Sequence, residues 1–377
     1  MNLGADIEEI AGRARDLAAQ LEPIAAEADA SSSPHPRVRE LLAASGLTAL
    51  TVPGAWGGAA EKVDPIAVCR VREILMGTCS HADSLFALQG IGSFALALAG
   101  GDELRERWLP GVASLDSIAA LALTEPDAGS DLKAIETAVR PDGGGLRLDG
   151  HKAFISNAGG ADFYTVLARE EDGYSLFAVD AGAEGLTVEP LPDLISPHVI
   201  GDVVFAGVEL GPEDRVGAPG EGFRLTLSTL ATFRVSVAAA AVGLADAALR
   251  EATRHAAGRE QFGRPLIALG PVAGLLADSW ADVESTRLLT YEVAAAVRED
   301  PLAQLDRSSL AKLAASEAAG RVVDRCVQAM GRFGLVEGGK VEKLYRQARP
   351  LRIYEGASEV LRLGIARRLA KDLATGS

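Results

Sequence analysis

Near the C-terminus, the run Arg352-Ile353-Tyr354-Glu355-Gly356-Ala357-Ser358-Glu359-Val360 sets one acid between apolar or aromatic neighbours and a glycine. A carboxylate flanked by Ile353, Tyr354 and Gly356 is easily desolvated, and desolvation raises its proton affinity toward that of a useful general base. Gly356 lets the backbone turn tightly, while Ser358 can cap the helix that residues 359–369 predict. The stretch reads as a carboxylate presented at a loop-to-helix junction. The competing reading is a solvated Glu whose charge stabilises a helix N-terminus.

Three further segments carry residue types suited to a bound ligand. Ala122-Leu123-Thr124-Glu125-Pro126-Asp127-Ala128-Gly129-Ser130-Asp131 combines two hydroxyls, a proline-fixed turn and a glycine, which suits a loop facing a polar ring or a phosphate. In Gly150-His151-Lys152-Ala153-Phe154-Ile155-Ser156-Asn157, an aromatic and a hydroxyl sit two apart, so in a strand both would face one side. Arg259-Glu260-Gln261-Phe262-Gly263-Arg264-Pro265 ends a long alanine-rich helix with a guanidinium suited to a pyrophosphate. Against these stand plainer readings: Phe154 as a core aromatic and Arg259 as a solvated charge.

In this order, the four segments resemble the acyl-CoA dehydrogenase family of flavoproteins, with its TEPGAGSD-like, G-x-K-x-[WF]-I-[TS]-N, R-x-x-FG and IYEG-[TA]-S-E stretches. The runs Val52-Pro53-Gly54-Ala55-Trp56-Gly57-Gly58 and Val341-Glu342-Lys343-Leu344-Tyr345-Arg346-Gln347-Ala348-Arg349 match too, so the resemblance extends from about residue 40 to the end. It implies an oxidoreductase acting on CH–CH bonds in fatty acid metabolism, with FAD as cofactor. Glu355 would take the α-proton of an acyl-CoA thioester while hydride leaves the β-carbon for flavin N5, giving the trans-2-enoyl thioester. The Glu355 backbone N–H and a ribityl hydroxyl would bind the thioester oxygen. Some members carry the base immediately before the arginine that corresponds to Arg234; here that residue is Phe233.

Carried over position by position, the resemblance puts Thr124, Gly129 and Ser130 at the flavin edge and the pyrophosphate or pantetheine. It sets Phe154 on the flavin ring and Ser156 near N5. Arg259 and Phe262 would reach the FAD pyrophosphate and adenine of a neighbouring subunit, which makes cofactor binding depend on oligomerisation. Gln328, Gly331, Arg332, Ala357 and Glu359 complete the cofactor set, and Arg234, Tyr354 and Gly356 join Ser130 on the substrate side. The chain departs from the family at Asp127 and Arg332, where glycines are usual, at Gly270 for glutamine, at Ala357 for threonine and at Ala231 for an acid near the pantetheine arm. Arg332 can itself reach a phosphate and so offset the missing glutamine.

Four functions compete on these residues. The first is an acyl-CoA dehydrogenase passing electrons to an electron-transferring flavoprotein; the second acts on an acyl or aminoacyl group tethered to a carrier protein. The third is a flavin oxidase or monooxygenase of the same fold; members running such chemistry commonly lack this acid, so Glu355 argues against monooxygenation. The fourth is a helical scaffold that has lost its flavin.

The 377 residues suffice for two or three domains, and 48% hydrophobic with 24% charged residues is an ordinary balance for a globular enzyme. A net charge of -15 makes nucleic acid and anionic membrane poor general partners. The three cysteines form no CxxC pair, so neither a disulfide framework nor a metal site is indicated. The acidic start lacks a signal-peptide pattern and no uninterrupted apolar run reads as a membrane span, so cytoplasmic residence is expected.

Helical periodicity marks residues 7–28, 38–44, 64–76, 85–99 and 102–110, then residues 223–259, 272–298, 301–333 and 359–371. Between them, short β-branched runs at 164–168, 175–179 and 203–208 are separated by turns such as 141–145 and 171–173. The expected class is α+β: an N-terminal helical domain over 1–117, a middle β-barrel or sandwich domain over 118–216 and a C-terminal four-helix bundle over 217–377. The resemblance implies the same architecture, usually a homotetramer joined through the bundles, with a homodimer as the alternative.

Overall fold

The computed structural model describes residues 5–171 and 173–375. Its elements run α1 (Ala5–Leu21), α2 (Ala25–Asp29), α3 (Pro36–Ser45), α4 (Pro65–Met76), α5 (Ser80–Ala99) and α6 (Asp102–Ser114). Then come β1 (Ala119–Ala122), β2 (Ala138–Asp142), β3 (Gly145–Ser156), β4 (Phe163–Glu170), β5 (Gly173–Asp180), β6 (Leu186–Pro190), β7 (Ile200–Leu210) and β8 (Arg215–Val216). The chain ends with α7 (Gly222–Gly258), the short strands β9 (Glu260–Gln261) and β10 (Arg264–Pro265), α8 (Gly270–Glu299), α9 (Leu305–Met330), α10 (Lys340–Ala348) and α11 (Ser358–Thr375). Helical first and last regions with a sheet between them are the expected α+β architecture. One expected turn, at 171–173, includes Asp172, which lies outside the described residues.

The chain divides into two compact units, one of Met1–Ala26, Pro65–Asp83 and Arg234–Ser377, the other of Glu27–Asp64 and Ser84–Phe233. The second unit holds an eight-stranded sheet in the order β6-β7-β3-β2-β4-β5-β8, with β1 pairing in parallel with β4. β4 and β5 are buried almost throughout and carry the valines, leucines and aromatics that suit a pleated core. Trp108 of α6 stacks on Phe163 of β4 at 4.7 Å between ring centroids, tying a helix to the sheet.

In the first unit, α7, α8, α9 and α11 supply four long helices. The alanine run of α7 is fully buried, with Ala238, Ala239, Ala240 and Ala241 at 0% exposure. A Cβ at Gly243 would lie 1.8 Å from the Glu73 carbonyl oxygen of α4, so these backbones touch at a contact that only glycine permits. Two helices correct the expectation about apolar spans: α5 and α7 are both long and apolar enough to cross a membrane. Their apolar windows are 72% and 89% buried inside the protein, as core helices are.

Candidate active site

Glu355 sits in the junction before α11, as the sequence predicts, but the helix opens on Ser358 itself. The junction is conformationally forced: Glu355 has φ +51 and Gly356 φ +110. Four of the five described non-glycine residues with positive φ, namely Phe154, Asn157, Phe262 and Glu355, fall in the four segments singled out above. Strain of this kind persists only where surrounding contacts enforce it, and it gathers at functional sites.

Those contacts are cationic. The Arg234 Nε of α7 donates to the Glu355 carbonyl at 2.7 Å, and its Nη1 donates to Ser309 Oγ of α9 at 3.2 Å. The Lys312 Nζ of α9 donates to the Gly356 carbonyl at 2.8 Å. From α4, Arg72 donates through Nε and Nη2 to the two carboxylate oxygens of Asp83 at 3.0 and 2.8 Å, and through Nη1 to Ser236 Oγ at 3.0 Å. Arg72 and Asp83 are both buried.

The Glu355 side chain keeps one oxygen, Oε2, buried and without a hydrogen-bond partner. Burial pushes its pKa up, and Asp83 adds to the rise, against the pull of Arg72, Arg234 and Lys312. The balance is a carboxylate of raised basicity. The Glu355 N–H donates to no backbone acceptor among the described residues, whereas the Tyr354 N–H is used by the Pro350 carbonyl. An N–H with no backbone acceptor beside an unpartnered carboxylate oxygen sets a donor and an acceptor side by side. Tyr354 is 38% exposed, Ala357 is half-buried, and Glu359 is exposed on the first turn of α11.

Also in the first unit, α7 stops at Gly258, so Arg259 lies just past the helix. Arg259 opens a two-strand hairpin whose tip, Phe262 (φ +54) and Gly263 (φ +73), has the paired positive φ of a tight hairpin turn. Phe262 is 91% exposed at that tip. The guanidinium groups of Arg259 and Arg332 lie 4.9 and 5.1 Å from the centroid of the Phe333 ring. Neither arginine forms an ion pair among the described residues, and Gln328, Gly331 and Arg332 are all exposed at the end of α9. Two unpaired guanidinium groups beside exposed aromatics fit a phosphate joined to an aromatic base, as FAD offers.

In the second unit, Thr124 and Phe154 are brought together: the Ala153 N–H donates to the Thr124 carbonyl at 2.8 Å. Beneath them the fully buried Lys152 donates to the Leu123 carbonyl and to Glu125 Oε1, both at 2.9 Å. Glu125 also accepts the backbone N–H groups of Glu136 and Thr137, which pins the loop carrying the exposed Gly129 and Ser130. Burial would raise the Glu125 pKa, but these donors and Lys152 bring it below the usual carboxylate range. Burial pulls the Lys152 ammonium down to about 8 despite its pairing with Glu125.

The strict alternation assumed for Phe154 and Ser156 does not hold. β3 breaks register against β7 between Lys152 and Ile155, and Phe154 has φ +55, so a bulge turns its ring outward to 57% exposure. Ser156 shares a hydrogen bond of 2.8 Å with His198 Nε2, a partner the sequence did not suggest.

The sequence reading also missed Arg72, Asp83 and Lys312. A signal existed, because each interrupts an otherwise apolar or small-residue helix face: α4 is buried at nearly every position, and Lys312 lies on the α9 stripe of Ser308, Ala311, Ala315 and Ala319.

Comparison with known proteins places the chain. Residues 5–116, 120–208 and 220–370 match the N-terminal, middle and C-terminal domains of acyl-CoA dehydrogenases. The cyclohexane-1-carbonyl-CoA dehydrogenase of Geobacter metallireducens is 32% identical over 361 residues, 94% of each chain. Butyryl-CoA dehydrogenase from Megasphaera elsdenii superposes with a TM-score of 0.93 at 28% identity, covering 98% of this chain and 99% of that one. A glutaryl-CoA dehydrogenase from Mycobacterium smegmatis, in complex with FADH2, gives a TM-score of 0.92 at 25% identity over 97% and 95%.

Proposed function

The chain belongs to the acyl-CoA dehydrogenase family, and from that premise we propose that it oxidises an acyl-CoA to the trans-2-enoyl-CoA, with Glu355 as the base that removes the α-proton. The observation that carries this reading is the buried, unpartnered Glu355 Oε2 on a strained junction. A surface acid ahead of a helix has no reason to be held at φ +51 with its carbonyl bound to a half-buried arginine.

In this reading Arg259, Arg332 and Phe262 would hold the diphosphate and adenine of FAD, and Thr124, Phe154 and Ser156 would contact a flavin ring. Bound FAD supplies the acceptor for the hydride that leaves the β-carbon. Everything else falls to the chain. The Glu355 N–H donates to the thioester oxygen and stabilises the negative charge that develops as the α-proton leaves. Glu355 takes that proton through Oε2, and the α- and β-carbons become doubly bonded.

Arg234 and Lys312 keep the junction fixed while the carboxylate changes charge, which limits reorganisation during the step. The outward placement of Phe262 at a hairpin tip supports delivery of that ring to a neighbouring subunit, and so a homotetramer or homodimer. An electron-transferring flavoprotein is the proposed acceptor downstream.

The test is anaerobic mixing of the flavin-loaded protein with acyl-CoA thioesters of graded chain length and branching. Loss of the oxidised-flavin absorbance with formation of 2-enoyl-CoA is expected for at least one of them. A flavin that stays oxidised with every acyl-CoA but is reduced by carrier-bound thioesters would overturn the substrate class, and one that none of them reduces would overturn the activity.

A further inference from the structure

We propose that Lys312 is a positioning residue for the base: its ammonium group holds the Gly356 carbonyl and so fixes the direction in which the Glu355 carboxylate points. The proposal rests on the reading of Glu355 as base. Its geometry is a two-point clamp. Arg234 from α7 takes the Glu355 carbonyl at 2.7 Å and Lys312 from α9 takes the next one at 2.8 Å, so two successive peptide planes are each held by one cation. Both residues of the junction have positive φ, a conformation that would relax if either carbonyl were released.

Lys312 differs from the chain's other fully buried lysine. Lys152 is paired with Glu125 at 2.9 Å, whereas Lys312, equally at 0% exposure, forms no ion pair among the described residues and gives its hydrogen bond to a main-chain carbonyl. An ammonium without a carboxylate partner is costly to bury, and nothing in the packing of α9 requires one, since its neighbours on that face are alanines and serines.

The clamp is also sensitive to pH. Burial lowers the Lys312 pKa to about 8, with Arg234 pushing the same way and Glu355, Glu317 and Glu359 opposing. Below about 8 the ammonium is charged and the carbonyl is held by a charge-assisted bond. Above it the amine is neutral, the bond weakens, and Glu355 loses one of the cations that favour its ionised form.

The test uses the flavin-loaded enzyme and the acyl-CoA from the graded panel that reduces it fastest. The rate constant of anaerobic flavin reduction is followed from pH 6 to pH 10, with flavin content and thermal midpoint checked for every variant. The wild-type rate constant should decline as pH rises through about 8. Lys312→Arg, which stays charged throughout, should show no such decline. Lys312→Met should be about tenfold slower or worse at pH 7, the effect of losing one hydrogen bond from a charged donor, and should lack the decline through about 8.

Independently of turnover, lysines labelled with carbon-13 at Cε should show a resonance titrating near 8 that disappears in Lys312→Arg, leaving a second depressed resonance for Lys152. A Lys312→Arg enzyme that keeps the wild-type alkaline limb would overturn the proposal, as would a Lys312 resonance titrating where solvated lysines do. Failure of the base reading is separate: it would appear as normal flavin reduction in a Glu355→Gln enzyme whatever Lys312 does.

Discussion

Replacing Gly356 by alanine should disable the junction through strain alone, leaving every charge in place. With φ at +110, the residue lies beyond the left-handed well that side chains tolerate, which costs about 1–3 kcal/mol for a non-glycine residue. The added Cβ would meet Leu361 Cδ2 at 2.9 Å and Arg234 Nη2 at 3.1 Å. The leucine methyl can move aside. The guanidinium cannot do so freely, because its Nε is committed to the Glu355 carbonyl and its Nη1 to Ser309. Relief therefore comes by turning the Glu355–Gly356 peptide away from its clamp.

If the cost of returning the carboxylate to its working position falls wholly on the chemical step, the rate drops about 5- to 150-fold, by the relation of 1.36 kcal/mol per tenfold. Stopped-flow measurement of anaerobic flavin reduction reads this directly, with flavin content measured to exclude simple cofactor loss. Gly12→Ala in α1 is the control, since a Cβ there meets nothing within 4 Å, and it should reduce flavin at the wild-type rate and melt no lower than wild type. A Gly356→Ala enzyme with the wild-type rate and melting temperature would show that the junction is not held as described, and the argument from strain would fall.

Two further outcomes follow from the buried charges. Lys152→Met leaves Glu125 buried and unpaired, which should destabilise the protein by about 3–5 kcal/mol and lower the thermal midpoint; adding Glu125→Gln should recover part of that loss, and an unchanged midpoint in the single variant would contradict the pairing. Because burial raises the Glu355 pKa, the wild-type reduction rate should fall on acidification at a higher pH than a solvated carboxylate would give, and a profile flat down to pH 4.5 would contradict the raised basicity.

The fold and the outline of the site were legible in the sequence to different depths. Periodicity located the long helices because each buries a continuous apolar stripe, and the alanine and glycine of α7 are the residue types that permit the close approach seen at Gly243. Glu355 was legible because its local neighbours are apolar and a glycine follows it. Its partners were not, since Arg72 and Lys312 reach the junction from helices α4 and α9, far away in the chain, and no local rule links them to it. Phe154 was misread for a different reason. Alternation along a strand presumes an unbroken ladder, and the register shift after Lys152 is a tertiary feature that residue types alone do not announce.

One substitution bears most directly on the whole account. In Glu355→Gln the side chain keeps its size and its place on the junction but can no longer accept the α-proton. With flavin bound to the normal level, anaerobic addition of the best acyl-CoA should leave the oxidised-flavin spectrum essentially unchanged over the time in which wild type is fully reduced. Reduction at the wild-type rate would mean that another group removes the proton, and that the strained, unpartnered carboxylate is not the base.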